Sequence, residues 1–219
     1  MKKVLLTLLV FLMGCSSAQI VSTWKNPEIV VFDAYKVLVV GMTPNEEGRE
    51  MFETKMVREF KRNGVEAMRS IDLFDVEFTN TPRTDVELDE VEEQLLARDF
   101  DAILFTKVLG SENRQSFRQR MADIEGYDDR FRDDYLSHQD IYYDADYYDE
   151  FTVYHVETSL YCICVGKERS LIWRCAIDVT DPASIRKTVD DYVELLVVAM
   201  MEQDLIFHKE DIVEPVIVP

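Results

Sequence analysis

Residues 35–42, Tyr-Lys-Val-Leu-Val-Val-Gly-Met, constrain this chain more than any other stretch. A run this apolar and this short reads as a strand buried on both faces, and such a strand needs covering layers on both sides. The next segment supplies one. Thr43-Pro44-Asn45-Glu46 has the pattern of an N-cap, a proline at the first helical position and a glutamate three residues on. Phe52, Met56 and Phe60 then recur at intervals of four, and Asn63-Gly64 offers a left-handed helix stop. Residues 65–70 read as a second strand. Thr84-Asp85-Val86-Glu87 is another capping box, opening a helix whose apolar stripe is Leu88, Val91 and Leu95. Residues 101–109 form a third apolar run. The order β-α-β-α-β predicts a largely parallel sheet with right-handed crossovers.

Residues 152–165 and 170–180 read as an antiparallel hairpin. Leu160, Cys162 and Cys164 share one face of the first strand; Leu171, Trp173, Cys175 and Ile177 share one face of the second. For both faces to lie on one side, paired residue numbers must sum to an odd value. A four-residue loop at 167–170 sets Cys162 opposite Cys175. The two thiols are then either a disulfide or, with Cys164, small core-filling groups beneath a helix. Asp181-Pro182 caps a long helix with an apolar stripe of Ile185, Val189, Tyr192, Leu196 and Met200. The expected fold is a single α/β domain spanning 35–211. It is a mixed sheet of about five strands in the order β-α-β-α-β-β-β-α, with helices packed on the sheet. Residues 212–219 form a tail whose Val-Ile-Val run suits an edge strand.

The amino terminus has a different character. Lys2 and Lys3 precede an apolar segment, 4–13, too short to span a bilayer as a helix. It ends in Leu12-Met13-Gly14-Cys15, which resembles the lipobox of bacterial lipoprotein signal peptides. The resemblance implies that 1–14 is a leader and that Cys15 carries a lipid; residues 15–34, with Trp24 and the apolar run 29–32, read as a tether leading into an irregular or edge segment. Met13 departs from the small residue usual at its position. Ser16 and Ser17 stand where an aspartate would signal inner-membrane retention in enterobacteria. The resemblance therefore implies a lipid anchor in the outer membrane, with the domain on the periplasmic face. Loss of the leader leaves 205 of the 219 residues, and takes the net charge from −19 to −21, since the leader holds two lysines and no acid. So acidic a chain is not expected to bind nucleic acid or anionic head groups.

Residues 110–150 read as a long exposed acidic excursion from the domain, dense in Asp, Tyr and Arg and ordered weakly or only on binding, with 123–150 its extreme part and the candidate contact surface. Its tyrosines offer rigid contact area and its carboxylates select a basic partner. The candidate contact residues are Tyr142, Tyr143, Asp144, Asp146, Tyr147, Tyr148 and Asp149. Residues 144–150 also alternate carboxylates as calcium loops do, but Tyr148 stands where a third oxygen ligand belongs and the sharp-turn glycine is missing. His138, His155 and His208 form no zinc-binding spacing, and His155 and His208 read as surface imidazoles. No metal or cofactor is expected. Ser184-Ile185-Arg186-Lys187 has the S-x-x-K spacing of serine acylases without its companion motifs, and a helix start explains it equally well.

Several segments together resemble a family of uncharacterised bacterial envelope lipoproteins common in Bacteroidetes-like genomes. They are the lipobox, Val39-Val40-Gly41-Met42, Arg49, Glu53, residues 156–161, Leu171-Ile172-Trp173 and Asp181-Pro182. More remotely, the element order is similar to the periplasmic domain of lipoprotein activators of penicillin-binding proteins, of the curli-secretion lipoprotein and of the amino-terminal domain of the Tol-Pal translocation protein. These resemblances imply a non-enzymatic accessory module that binds another envelope protein. The alternatives are a cell-wall hydrolase and a purely structural lipoprotein.

Overall fold

The computed structural model describes residues 18–75, 78–79, 81–110, 130–142, 153–163, 170–180 and 184–207. These residues form one mixed six-stranded sheet and four α-helices. In chain order the elements are β1 (Ala18–Lys25), β2 (Lys36–Met42), α1 (Glu46–Arg62), β3 (Glu66–Arg69), α2 (Asp85–Leu96) and β4 (Ala102–Val108), then α3 (Phe131–His138), β5 (Val153–Cys162), β6 (Ser170–Thr180) and α4 (Ile185–Glu202). The strand order is β1-β6-β5-β4-β2-β3. β2 is parallel to both β3 and β4, and β4, β5, β6 and β1 alternate in direction.

The α/β class is the one expected, with a strand more than expected. β1 occupies eight residues of the stretch 15–34 that reads as tether. Its residues lack an apolar run because an edge strand buries little; its backbone partners come from β6, with Ala18 opposite Val179 and Trp24 opposite Arg174. Pairing there also covers the edge that β6 would otherwise leave open.

The two crossovers explain the layers. β3 and β4 lie on opposite sides of β2. Right-handed connections in opposite directions must run over opposite faces, so α1 covers one face and α2 the other. On the first face, Phe52, Met56 and Phe60 of α1 and Tyr192, Leu196 and Met200 of α4 pack on Val37, Val39, Leu104, Leu160, Trp173, Cys175 and Ile177. On the second, Leu88, Val91 and Leu95 of α2 meet Leu38, Val40, Ile103 and Phe105, joined by Phe131, Tyr135 and Ile141. The excursion is therefore not all excursion. Phe131 and Tyr135, one helical turn apart, are buried, and their rings lie 5.4 and 6.1 Å from that of Phe105.

Local signals hold with shifts of a residue or two. Thr84 and Glu87 form the capping box reciprocally. Gly64 takes φ +77° beyond the end of α1. The cap of α1 is Asn45, whose Oδ1 accepts from Gly48 N at 2.7 Å, while Thr43 Oγ1 accepts from Asn45 N. The cap of α4 is Ser184 rather than Asp181.

The hairpin register differs by four positions. Trp173 faces Leu160, Cys175 faces Thr158 and Cys162 faces Ser170. β5 ends at Cys162 and β6 begins at Ser170, so the connection is longer than the four residues assumed. The odd sum survives for most of the ladder, because face parity is fixed by burial while register is fixed by loop length. A bulge at Ile172 then turns Leu171 to the second face. The Cys162–Cys175 pairing is thereby excluded. Cys175 is a buried free thiol, whereas Cys162 is disulfide-bonded, so the two do not pair with each other.

Candidate functional site: an apolar cleft beside a buried carboxylate clamp

β2 and β4 are neighbours whose connections leave in different directions, so a crevice opens at their carboxyl ends, where ligands bind in open α/β sheets. The residue that organises this edge is Glu53, fully buried on α1. Its Oε1 accepts from Gly41 N (2.9 Å), Ser70 Oγ (2.7 Å) and Arg49 Nε (3.2 Å), and its Oε2 accepts from Ile71 N (3.1 Å). One carboxylate thus ties α1 to the end of β2 and to the turn after β3. Arg49 also donates from Nη2 to Ser70 Oγ at 3.0 Å, and its guanidinium lies 5.2 Å from the centre of the Tyr142 ring. Gly41 must be small here: an added Cβ would sit 3.3 Å from Phe52 and 3.4 Å from Arg49.

Clefts lie on either side of Arg49. The first, about 130 Å3, runs between α1 and α4 over the ends of β2, β4, β5 and β6. Phe52, Val108, Val156, Val179 and Val189 make it apolar. Its hydroxyls serve one another: Thr158 Oγ1 lies 2.6 Å from both Thr106 Oγ1 and Tyr192 OH. The second cleft, about 260 Å3, is more polar, with Thr43, Glu46, Glu50, Asp75 and Tyr142 in its walls.

The second face hides a different cluster. Lys107, Asp134, Glu157 and Arg174 are each no more than 1% exposed. Lys107 Nζ bonds Asp134 Oδ1 and lies 2.9 Å from Glu157 Oε1, and Arg174 Nε lies 3.5 Å from the same oxygen. Tyr161 OH donates to Asp134 Oδ2 at 2.5 Å. Burial opposes charge on Asp134, but the Lys107 ammonium and the His138 imidazole outweigh it and hold the carboxyl below its ordinary range. Burial likewise works against Lys107, and the two carboxylates overcome it and raise its pKa. Tyr161 is pushed well up by burial and then by Asp134. Beside this cluster His155 Nδ1 is 2.5 Å from Asp178 Oδ1, both 1% exposed, so His155 is an interior residue and not a surface imidazole. Nothing in the sequence announces that the polar residues of β5 and β6 are buried; Asp134 between Phe131 and Tyr135 was the available sign that a charge would be carried inward.

Cys15, Tyr143, Asp144, Asp146, Tyr147, Tyr148, Asp149, Cys164 and His208 fall outside the described residues. Tyr142 is described and is turned inward: its ring packs on Tyr135 and Arg49, its hydroxyl reaches Gly41 O at 3.4 Å, and burial raises its pKa. It is half-buried and stands in the wall of the second cleft. Ser184 Oγ accepts from Lys187 N, and Lys187 Nζ pairs with Asp191. The S-x-x-K residues are a helix start. Among the described residues no three His, Cys, Asp or Glu side chains gather as a metal site, and no helix is long and apolar enough to cross a membrane.

No protein-family model matches this chain, and no curated protein matches it. Among solved structures it is similar to the PelC dodecamer from Paraburkholderia phytofirmans in crystal form P6. The identity is 8%, over 86% of this chain and 98% of that one, with a TM-score of 0.42. A second PelC dodecamer from the same organism, a leucine-to-methionine variant in form C2, matches at 7% identity over 80% and 96% with a TM-score of 0.39.

Proposed function

We propose that this chain is a lipid-anchored bacterial envelope lipoprotein that binds another envelope protein and does not catalyse a reaction. In this reading Cys15 carries the lipid, the anchor is in the outer membrane and the domain works on its periplasmic face. The observation that carries the binding reading is the apolar cleft at the carboxyl edge. Its Thr106 and Tyr192 hydroxyls are both held by Thr158, and its cation, Arg49, is engaged by Glu53 and Ser70. Such a site offers desolvation and shape to a ligand, with orientation set by few polar groups. The hydrolase alternative loses its support, since Ser184 caps a helix and Lys187 is paired with Asp191.

The test is crosslinking in intact cells followed by mass spectrometry, on the native protein and on a variant lacking residues 143–150. Residues 130–142 are retained because the core uses them. A specific envelope partner is expected with the native protein, and its loss in the variant would assign the contact to 143–150. An unchanged partner would move the contact to the cleft, and the absence of any specific partner would overturn the reading.

A further inference from the structure

We propose that the cleft between α1 and α4 is the seat of one acyl chain of the lipid on Cys15. The proposal rests on the lipoprotein reading above and deepens it by naming the cleft's occupant while no partner is bound. Reach is the first argument. β1 runs antiparallel to β6, so its amino-terminal end lies at the carboxyl edge of β2, β4 and β6. Ala18 is the direct partner of Val179, and paired residues share a face of the sheet. Val179 is a wall of the cleft. Two residues separate Cys15 from Ala18, so the Cα of Cys15 is tied within about 11 Å of that of Ala18, and Val179 lies one strand spacing, about 5 Å, beyond it.

Chemistry is the second argument. Valine, phenylalanine and the stems of Thr188 and Arg49 line the cleft, and the polar atoms of Thr106 and Tyr192 are already hydrogen-bonded. A hydrocarbon asks for this and nothing more. Size sets how much enters. An apolar cavity of about 150 Å3 accepts a benzene ring, so a cleft of about 130 Å3 takes a stretch of five or six carbons. The rest of the lipid stays outside. The domain is then held with its carboxyl edge against the bilayer, close enough for the cleft to compete with the membrane for that chain.

The probe is tritiated palmitate in equilibrium dialysis below its critical micelle concentration. The unlipidated mature chain, residues 15–219, is expected to bind one equivalent saturably. Val189→Trp fills the cleft and should weaken binding by about tenfold or more; Thr188→Phe serves if that variant fails to fold, and Val198→Trp, on an exposed position of α4, should bind as the native chain does. The lipidated protein from native membranes should take up at least about tenfold less palmitate, its cleft being filled in cis. No saturable binding, equal binding by the filled variants, or equal uptake by lipidated and unlipidated chains would overturn the proposal. Mass spectrometry of the native amino terminus separates the two failures. An unmodified Cys15 removes the lipoprotein reading itself, whereas a lipidated Cys15 with equal uptake removes only the seat.

Discussion

The two sides of the β5–β6 hairpin are buried to the same degree by opposite means. Toward α1 and α4 it presents Val156, Leu160, Trp173, Cys175 and Ile177, a surface that water rejects. On its other side stand His155, Glu157, Ser159, Arg174 and Asp178, each no more than 1% exposed. The apolar side is held by non-directional contact and tolerates repacking. The polar side is held by pairs, where each charge is acceptable only while its partner remains. The contrast teaches that depth of burial does not report the kind of force at work, and that the two faces should fail differently.

The largest expected effect is at the polar side. Lys107→Met leaves Asp134 facing Glu157 without their shared cation and should cost about 3–5 kcal/mol in urea unfolding. Leu196→Ala, fully buried on the apolar side, should cost about 2–5 kcal/mol, the usual range for such a truncation, and less than Lys107→Met because the site can partly collapse. A larger loss for Leu196→Ala would break the comparison.

Acid sharpens it. The folded pKa of Asp134 is depressed, so its contribution to stability is complete above the ordinary carboxylate pKa and is lost as pH falls from about 5 downward. The native chain should lose stability over that range, and Asp134→Asn should flatten the pH dependence while Leu196→Ala leaves it parallel. Equal slopes in thermal melts for all three would contradict the assignment. Glu53→Gln, at the clamp, weakens charge-assisted bonds from Arg49 and Ser70 and should cost about 1–3 kcal/mol. The smallest effect is chemical. Burial, and next the Glu157 carboxylate, push the Cys175 thiol up to about 12, so native protein should leave Cys175 unlabelled by iodoacetamide at pH 8 and unfolding should expose it. Rapid native labelling would mean that the apolar side opens readily.

The alternation of three strands with two capped helices determined by itself a parallel unit with right-handed crossovers; that β3 and β4 flank β2, which sends α1 and α2 to opposite faces, only the tertiary structure decided. The parity of the β5–β6 ladder was equally legible, since one side must be apolar. The register was not, because it depends on the length of a connection that carries no periodic signal, and the Cys162–Cys175 pairing fell with it. β1 was invisible because an edge strand borrows its hydrogen bonds from β6 and needs little apolar content of its own. The inward turn of 130–142 and the burial of Lys107, Asp134, Glu157 and His155 belong to tertiary structure alone. A charge reads as solvated in any local window, and only a partner brought from elsewhere in the chain, Asp134 to Lys107 or Asp178 to His155, offsets the loss of water around it.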